Sequence, residues 1–333
     1  MKKLTTLLVL LALCLSGCVK QEDFDNTPQG NFDALWRIID EHYCFLDYKQ
    51  VDWNAVRNQY QPYITPKLND DKLFQILGNM LAELKDGHVN LYAYHNTARY
   101  WNWYEDYPRN YSEELIEKYL GHEYRIGGGM KYTILDDNIG YVSYTSFSSA
   151  IGNSTLSEML RYLDICNALI IDVRNNGGGD LTNANRLAGR FTNEKVLVGY
   201  MCHKTGKGHS DFSDPEPLYI EPSDGVRWQK PVVVLTNRHS YSATNDFVNS
   251  MHYLPQVTLM GDQTGGGSGM PFSSELPNGW GVRFSACPTY NAEMQQIEFG
   301  IKPDIEVALK AEDQAQGIDT IIEAARAYLN KKP

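Results

Sequence analysis

The sequence predicts a mixed α/β fold entered through a small helical lobe, and three observations carry that prediction. Two apolar runs, Ala168–Val173 (ALIIDV) and Val232–Leu235 (VVVL), are too short for buried helices and read as interior strands of a parallel sheet. Each is followed by a polar turn and then by residues at helical spacing. Further along, Phe272–Phe299 replaces that alternation with turn-separated antiparallel strands, so the sheet is mixed. With 42% apolar and 12% aromatic residues, the 333-residue chain has material for one large or two modest domains.

The first seventeen residues read as a targeting segment. Lys2 and Lys3 form a basic start, Leu7–Leu15 is an apolar stretch too short to span a bilayer, and the ending LSGC is similar to the bacterial lipobox. Residues 1–17 are then a lipoprotein signal peptide, Cys18 is the lipidated residue, and 18–30 form a polar tether that holds the protein in a bacterial cell envelope. The alternative is an ordinary cleaved secretory signal. Cleavage removes two lysines from a net charge of −11 and leaves −13, which disfavours nucleic acid and anionic membrane surfaces as partners.

After the tether, residues 31–93 are expected to form the helical lobe. Phe32, Leu35, Trp36, Ile39 and Tyr43 share one stripe, and helices are predicted near Trp53–Tyr63 and over Asp70–Leu84. Gly87 ends the last of these, and the chain turns to strand from His88 onward. A histidine at a rigid helix-to-strand junction is a candidate functional group, with a structural, hydrogen-bonded histidine as the plain alternative. Residues 94–130, rich in Tyr, Trp and charge, are too few for an independent domain. They read as an insertion whose aromatics either line a groove or pack on the lobe beneath.

The core is assigned to residues 131–333. Strands are expected at Lys131–Leu135 and Ile139–Tyr144, then a helix over Ser154–Leu163. The strand Ala168–Val173 runs into RNNGGGD, where Gly177 and Gly178 can bring backbone N–H groups close to a ligand; a tight structural turn is the alternative. No GK[ST] follows, which excludes a P-loop. The strand Val232–Leu235 meets a helix carrying Ala243, Phe247 and Met251 on one face, which places Ser242 in the open at the carboxyl end of the sheet beside unpaired helix amides. That suits a nucleophile, while a bare helix cap at Ser242 or Ser240 is the competing reading. Strand Val257–Met260, turns at Pro277–Gly279 and Pro288–Asn291, and a final helix Glu312–Leu329 complete the expectation. Cys44, Cys166, Cys202 and Cys287 are scattered with no CxxC, so no zinc site, other metal or cofactor is expected.

Five segments in order, KDGHVNL, IIDVRNNGGGDL, VVVLTNRHSYSATNDF, MGDQTGGGSG and FGIKPDIEV, resemble the landmarks of the C-terminal-processing (tail-specific) serine peptidases and the related tricorn core protease. The resemblance implies a ClpP/crotonase-like β-β-α core, peptide or protein substrates, Ser242 as nucleophile, and an oxyanion hole from the Ala243 amide with Gly177 or Gly178. The processing branch uses a lysine base in a segment like GxxxxGKG, where this chain has Gly267. The tricorn-like branch uses histidine assisted by glutamate, which implies His88 and Glu298, with activity rising through roughly pH 6 to 7. Residues 94–130 leave no room for the family's PDZ module. The rival reading is a non-catalytic ligand- or peptide-binding module on the same fold.

Overall fold

The computed structural model describes residues 24–331. The signal segment, Cys18 and the tether up to residue 23 lie outside the described residues. Three helices open the chain: α1 (Pro28–His42), started by Thr27, whose hydroxyl accepts the Gly30 N–H; α2 (Trp53–Tyr60), capped by Asp52; and α3 (Asp70–Ala82), capped by Asn69. The hairpin β1 (Asn90–Ala93) and β2 (Asn96–Arg99) follows, then short helices α4 (Asn102–Glu105) and α5 (Glu113–Leu120). Next come β3 (Arg125–Gly127), β4 (Met130–Ile134), β5 (Ile139–Tyr144), α6 (Asn153–Leu163), β6 (Ala168–Asp172) and α7 (Leu181–Ala188). The rest is β7 (Val196–Met201), β8 (Glu216–Ile220), β9 (Val232–Thr236), α8 (Ala243–His252), β10 (Val257–Gly261), β11 (Met270–Glu275), β12 (Gly281–Cys287), β13 (Thr289–Asn291), β14 (Ile305–Glu306), α9 (Ala311–Ala315) and α10 (Thr320–Leu329).

Seven strands form the main sheet in the order β14-β10-β9-β6-β5-β4-β3, parallel from β14 to β5 and antiparallel beyond. The run Val232–Leu235 lies inside it between β6 and β10, fully buried on both faces, as its continuous apolar character requires. On one face α6, α7 and α8 pack Leu160, Leu187 and Phe247 onto Leu169, Ile171, Val232 and Val234. On the other, α5 and α10 bring Ile116, Leu120, Ile321 and Ile322 against Ile170, Val233 and Leu235. Each such fully buried aliphatic side chain stabilises by about 1.5–3 kcal/mol.

A second core belongs to the N-terminal lobe, whose sheet has the order β11-β12-β1-β2. Two of its strands come from late in the chain, so the lobe is completed only when β11 and β12 return to pair with β1. Residues 94–130 do not stand apart: they supply β2 to this sheet, α5 to the lower face of the main sheet and β3 to its edge.

Two local expectations need correction. Residues 288–291 are not a turn, because Thr289–Asn291 extend and pair with Gly199–Met201. The last helix is two helices, broken where Gly317 takes a φ of 73° and Asp319 caps α10. Strands β7 and β8, with a glycine and a proline inside them, carried no expectation and form a three-stranded sheet with β13.

Candidate active site

Ser242 is the residue before α8, and it sits at φ 58°, ψ −127°, a conformation that costs a non-glycine residue of order 1–3 kcal/mol. Its N–H donates to the Gly266 carbonyl at 2.8 Å, and its side chain makes no capping bond. Ser240 is fully buried, with its hydroxyl donating to the Val173 carbonyl and accepting the Asn237 N–H. The two serines of HSYS therefore separate cleanly: Ser240 braces the turn, and Ser242 presents Oγ to the cleft.

Across that cleft, His88 Nε2 lies 2.9 Å from Ser242 Oγ, joining residues 154 positions apart. The ring reaches it because Asp86 Oδ1 accepts the His88 N–H at 2.8 Å, and Asn90 Nδ2 donates to the His88 carbonyl. The ring also packs on Tyr241, with centroids 5.0 Å apart. Burial drives the imidazole pKa down to about 4; Asp86 pushes it up, and Arg283 and Lys49 add to the lowering. His88 is thus neutral near pH 7 and able to accept a proton, and the limb expected at pH 6 to 7 moves to about pH 4.

Beneath His88 lies a buried ionic cluster. Lys49 Nζ is 2.7 Å from Glu298 Oε1 and 3.3 Å from Asp86 Oδ2, and that Asp86 oxygen also accepts from Tyr43 and Ser285. Burial lowers the Lys49 pKa, but the two carboxylates outweigh it and hold the ammonium charged. For Asp86, burial raises the pKa while Lys49 and His88 pull it below the usual range. Burial pushes Glu298 up to about 7 against the pull of Lys49.

The glycine turn is fastened beside Ser242. Asn176 Oδ1 accepts from Gly178 N at 3.0 Å and from Thr244 Oγ1 at 2.7 Å, and Asn237 Oδ1 accepts from Asn175 N. Gly178 has a φ of 96°, and a Cβ there would lie 2.8 Å from Ser242 Cβ and 2.9 Å from Ala243 N, so only glycine fits. Its own N–H is taken by Asn176, which removes Gly178 as an oxyanion donor and makes it a spacer. The amides of Gly177, Gly179 and Ala243 make no hydrogen bond among the described residues. Behind the turn, Asp172 and Asp319 clamp the fully buried Arg174 guanidinium, with closest contacts of 2.6 and 3.1 Å.

Residues 138–307 match the family model for peptidase family S41, and residues 24–82 match the tricorn protease C1 domain. The chain belongs to peptidase family S41. Carboxy-terminal processing protease CtpA of Bacillus subtilis is 27% identical over 177 residues, 52% of this chain and 36% of that one. Carboxyl-terminal-processing peptidase 2, chloroplastic, of Arabidopsis thaliana is 26% identical over 171 residues, 50% of this chain and 31% of the relative. The S41 chain thus spans about a third of the length of these curated relatives. Among solved structures, a candidate peptidase from Parabacteroides merdae superposes with a TM-score of 0.89 at 56% identity, covering 93% of this chain and 98% of the other. Mature CPAF complexed with lactacystin has the same fold, with a TM-score of 0.69 at 11% identity over 92% of this chain and 97% of the other.

Within this S41 chain, the structure brings Ser242, His88, Ala243 and the glycine turn to one cleft. Glu298 is placed differently from expectation: its carboxylate is taken up by Lys49 and by the Ser268 N–H at 2.9 Å, and no hydrogen bond joins it to His88. His88 Nδ1 makes no hydrogen bond within the described residues, the backbone at Gly269 being the polar neighbour that raises its pKa. Lys49 and Asp86 were missed by sequence reasoning. Lys49 carries no local signal, whereas Asp86 sits two residues before the histidine, the spacing of an Asx-type turn.

Two glycines beside the cleft, Gly267 and Gly87, have a steric reason. A Cβ at Gly267 would lie 2.3 Å from the Tyr241 ring, so Tyr241 fills the space a side chain at 267 would need. At Gly87, a Cβ would meet Trp103 Nε1 at 2.5 Å. Trp103 stacks on Tyr241 with centroids 3.9 Å apart and on His239 at an interplanar angle of 9°. The aromatics of residues 94–130 therefore both pack and line the cleft, with Trp101 and Trp103 forming one wall.

Proposed function

We propose that this protein is a serine peptidase that cleaves peptides or proteins, as an endopeptidase or at carboxyl ends, and that Cys18 tethers it to a bacterial cell envelope. The observation that carries the reading is the 2.9 Å contact between Ser242 Oγ and His88 Nε2 at a strained strand-to-helix junction. His88 takes the serine proton as Oγ attacks the scissile carbonyl, then returns it to the leaving amine. The Ala243 amide, with one of the free glycine amides, receives the oxyanion, an interaction worth about 2.7–4 kcal/mol per donor.

Asp86 acts through His88: it holds the backbone of the base, and its charge favours the imidazolium that forms during attack. Glu298 is a positioning residue, holding Lys49 against Asp86 and fixing the Ser268 amide. The envelope assignment rests on the basic start, short apolar stretch and LSGC of the first eighteen residues. Among the described residues no helix is long and apolar enough to cross a membrane.

Fluorophosphonate labelling alongside hydrolysis of a peptide library tests the reading. Label and turnover in the wild type, both lost in Ser242→Ala and turnover lost in His88→Ala, are the expected results. A folded wild type that neither labels nor cleaves would replace the peptidase with the binding module.

A further inference from the structure

Beside Ser242 opens a second cavity of about 290 Å³, on the side of the nucleophile away from Trp103. Leu181, Met201, Met270 and Pro271 give it apolar walls, and Asp246 enters it from α8. Asp246 lies in the first turn of α8, four residues beyond Ser242, and both residues line this cavity. Its carboxylate makes no hydrogen bond and no ion pair among the described residues.

Carboxylates in a first helical turn ordinarily reach back to cap N–H groups or face water. This one caps no N–H group: it is half-buried and lines the cavity. The other charged or titratable groups facing the same space are few. Asp180, exposed at the mouth, adds negative charge while accepting the Thr182 N–H. Arg283, on β12, also lines the cavity and makes no ion pair among the described residues. His88 is neutral at pH 7. Burial raises the Asp246 pKa to about 7.

We propose that this cavity receives a lysine or arginine side chain from the substrate residue whose carbonyl Ser242 attacks, with Asp246 as the counter-charge. The proposal deepens the peptidase reading and rests on Ser242 being the nucleophile. A long aliphatic stem with a charged tip matches the cavity: methylenes lie along Leu181 and the two methionines, and the ammonium or guanidinium reaches a carboxylate one helical turn from the reacting atom. A short apolar side chain would leave the half-buried carboxylate unpaired. A glutamate would set like charges together.

The test uses one peptide frame with lysine, arginine, norleucine, alanine or glutamate before the scissile bond. It compares the wild type with Asp246→Asn, and rates are normalised to sites counted by fluorophosphonate. Lysine and arginine are expected to exceed norleucine in kcat/KM by about 10- to 100-fold, the size of a charge-assisted contact in a desolvated site. Asp246→Asn should bring that ratio close to one. The wild-type ratio should also grow as pH rises through about 7, because Asp246 must ionise, whereas Glu298 and His88 act on both substrates alike and cancel.

Equal rates for lysine and norleucine in the wild type, or an unchanged ratio in Asp246→Asn, would overturn the proposal while leaving the peptidase intact. The same peptides are also titrated calorimetrically against Ser242→Ala and Ser242→Ala/Asp246→Asn, a readout independent of turnover. Lysine-dependent binding lost with Asp246 supports the pocket even if no hydrolysis is found. No lysine preference in that titration counts against it.

Discussion

Replacing Lys49 with methionine tests the network beneath the base most directly. The ammonium lies 2.7 Å from Glu298 and 3.3 Å from Asp86, which at an effective dielectric of about 20 corresponds to gross attractions of about 6 and 5 kcal/mol. Desolvation of all three groups offsets most of this, and the net loss on removing one partner of a buried pair is about 3–5 kcal/mol. Melting should therefore fall by roughly 10 °C or more. The effect on catalysis has a definite sign. His88 in the wild type is held down to about 4, so activity that needs neutral imidazole is present above that pH and lost as pH falls through it. Lys49 is one cause of the lowering, and its removal leaves Asp86 favouring the imidazolium, so the acid limb of kcat/KM should move up. The depressed imidazole also makes wild-type stability rise between about pH 4 and 6.5, where the unfolded chain binds a proton that the folded chain refuses. The assays are a pH profile of peptide hydrolysis and thermal melts on both proteins. A folded variant whose limb stays at about pH 4 would refute the role of Lys49 in setting the base, and an unchanged melting temperature would refute the cluster as a stabilising unit.

Gly178→Ala should cut turnover by about 100-fold or more, because the new Cβ pushes on Ser242 and Ala243 where the oxyanion forms, while melting falls only by a few degrees. Matched losses of activity and folded protein would make the turn purely structural. Arg174→Leu leaves Asp172 and Asp319 buried without their cation and should cost about 3–5 kcal/mol in urea unfolding at pH 7. A cost below about 1 kcal/mol would refute the clamp. Cys18→Ala should release the protein from membranes and abolish incorporation of a fatty-acid analogue; label that persists in the variant would remove Cys18 as the anchor.

The parts of the fold legible in the sequence are those in which burial imposes one pattern over several consecutive residues. Val232–Leu235 is apolar at every position because both faces of β9 are covered, and that is visible without a partner strand. The glycine turn was legible because only glycine fits at Gly178, and Ser242 because a short apolar strand meets a helix there. Lys49 was not, since a lone lysine in a polar stretch ordinarily stays in solvent, and its carboxylate partners lie 37 and 249 positions away. Glu298 was found as a residue but given the wrong neighbour for the same reason. Residues 288–291 were read as a turn from Pro288 and Asn291, although the strand there is created by pairing with β7, a tertiary contact that no local signal reports.

The division of labour between two separately packed cores has a consequence for timing. The serine belongs to the main sheet, while the histidine hangs from a strand whose own sheet closes only when β11 and β12 come back from the end of the chain. On the proposed roles, a chain with one core formed holds a hydroxyl with no base, or a base with nothing to deprotonate, so the proposed reactivity arises only once the β11–β12 hairpin is in place.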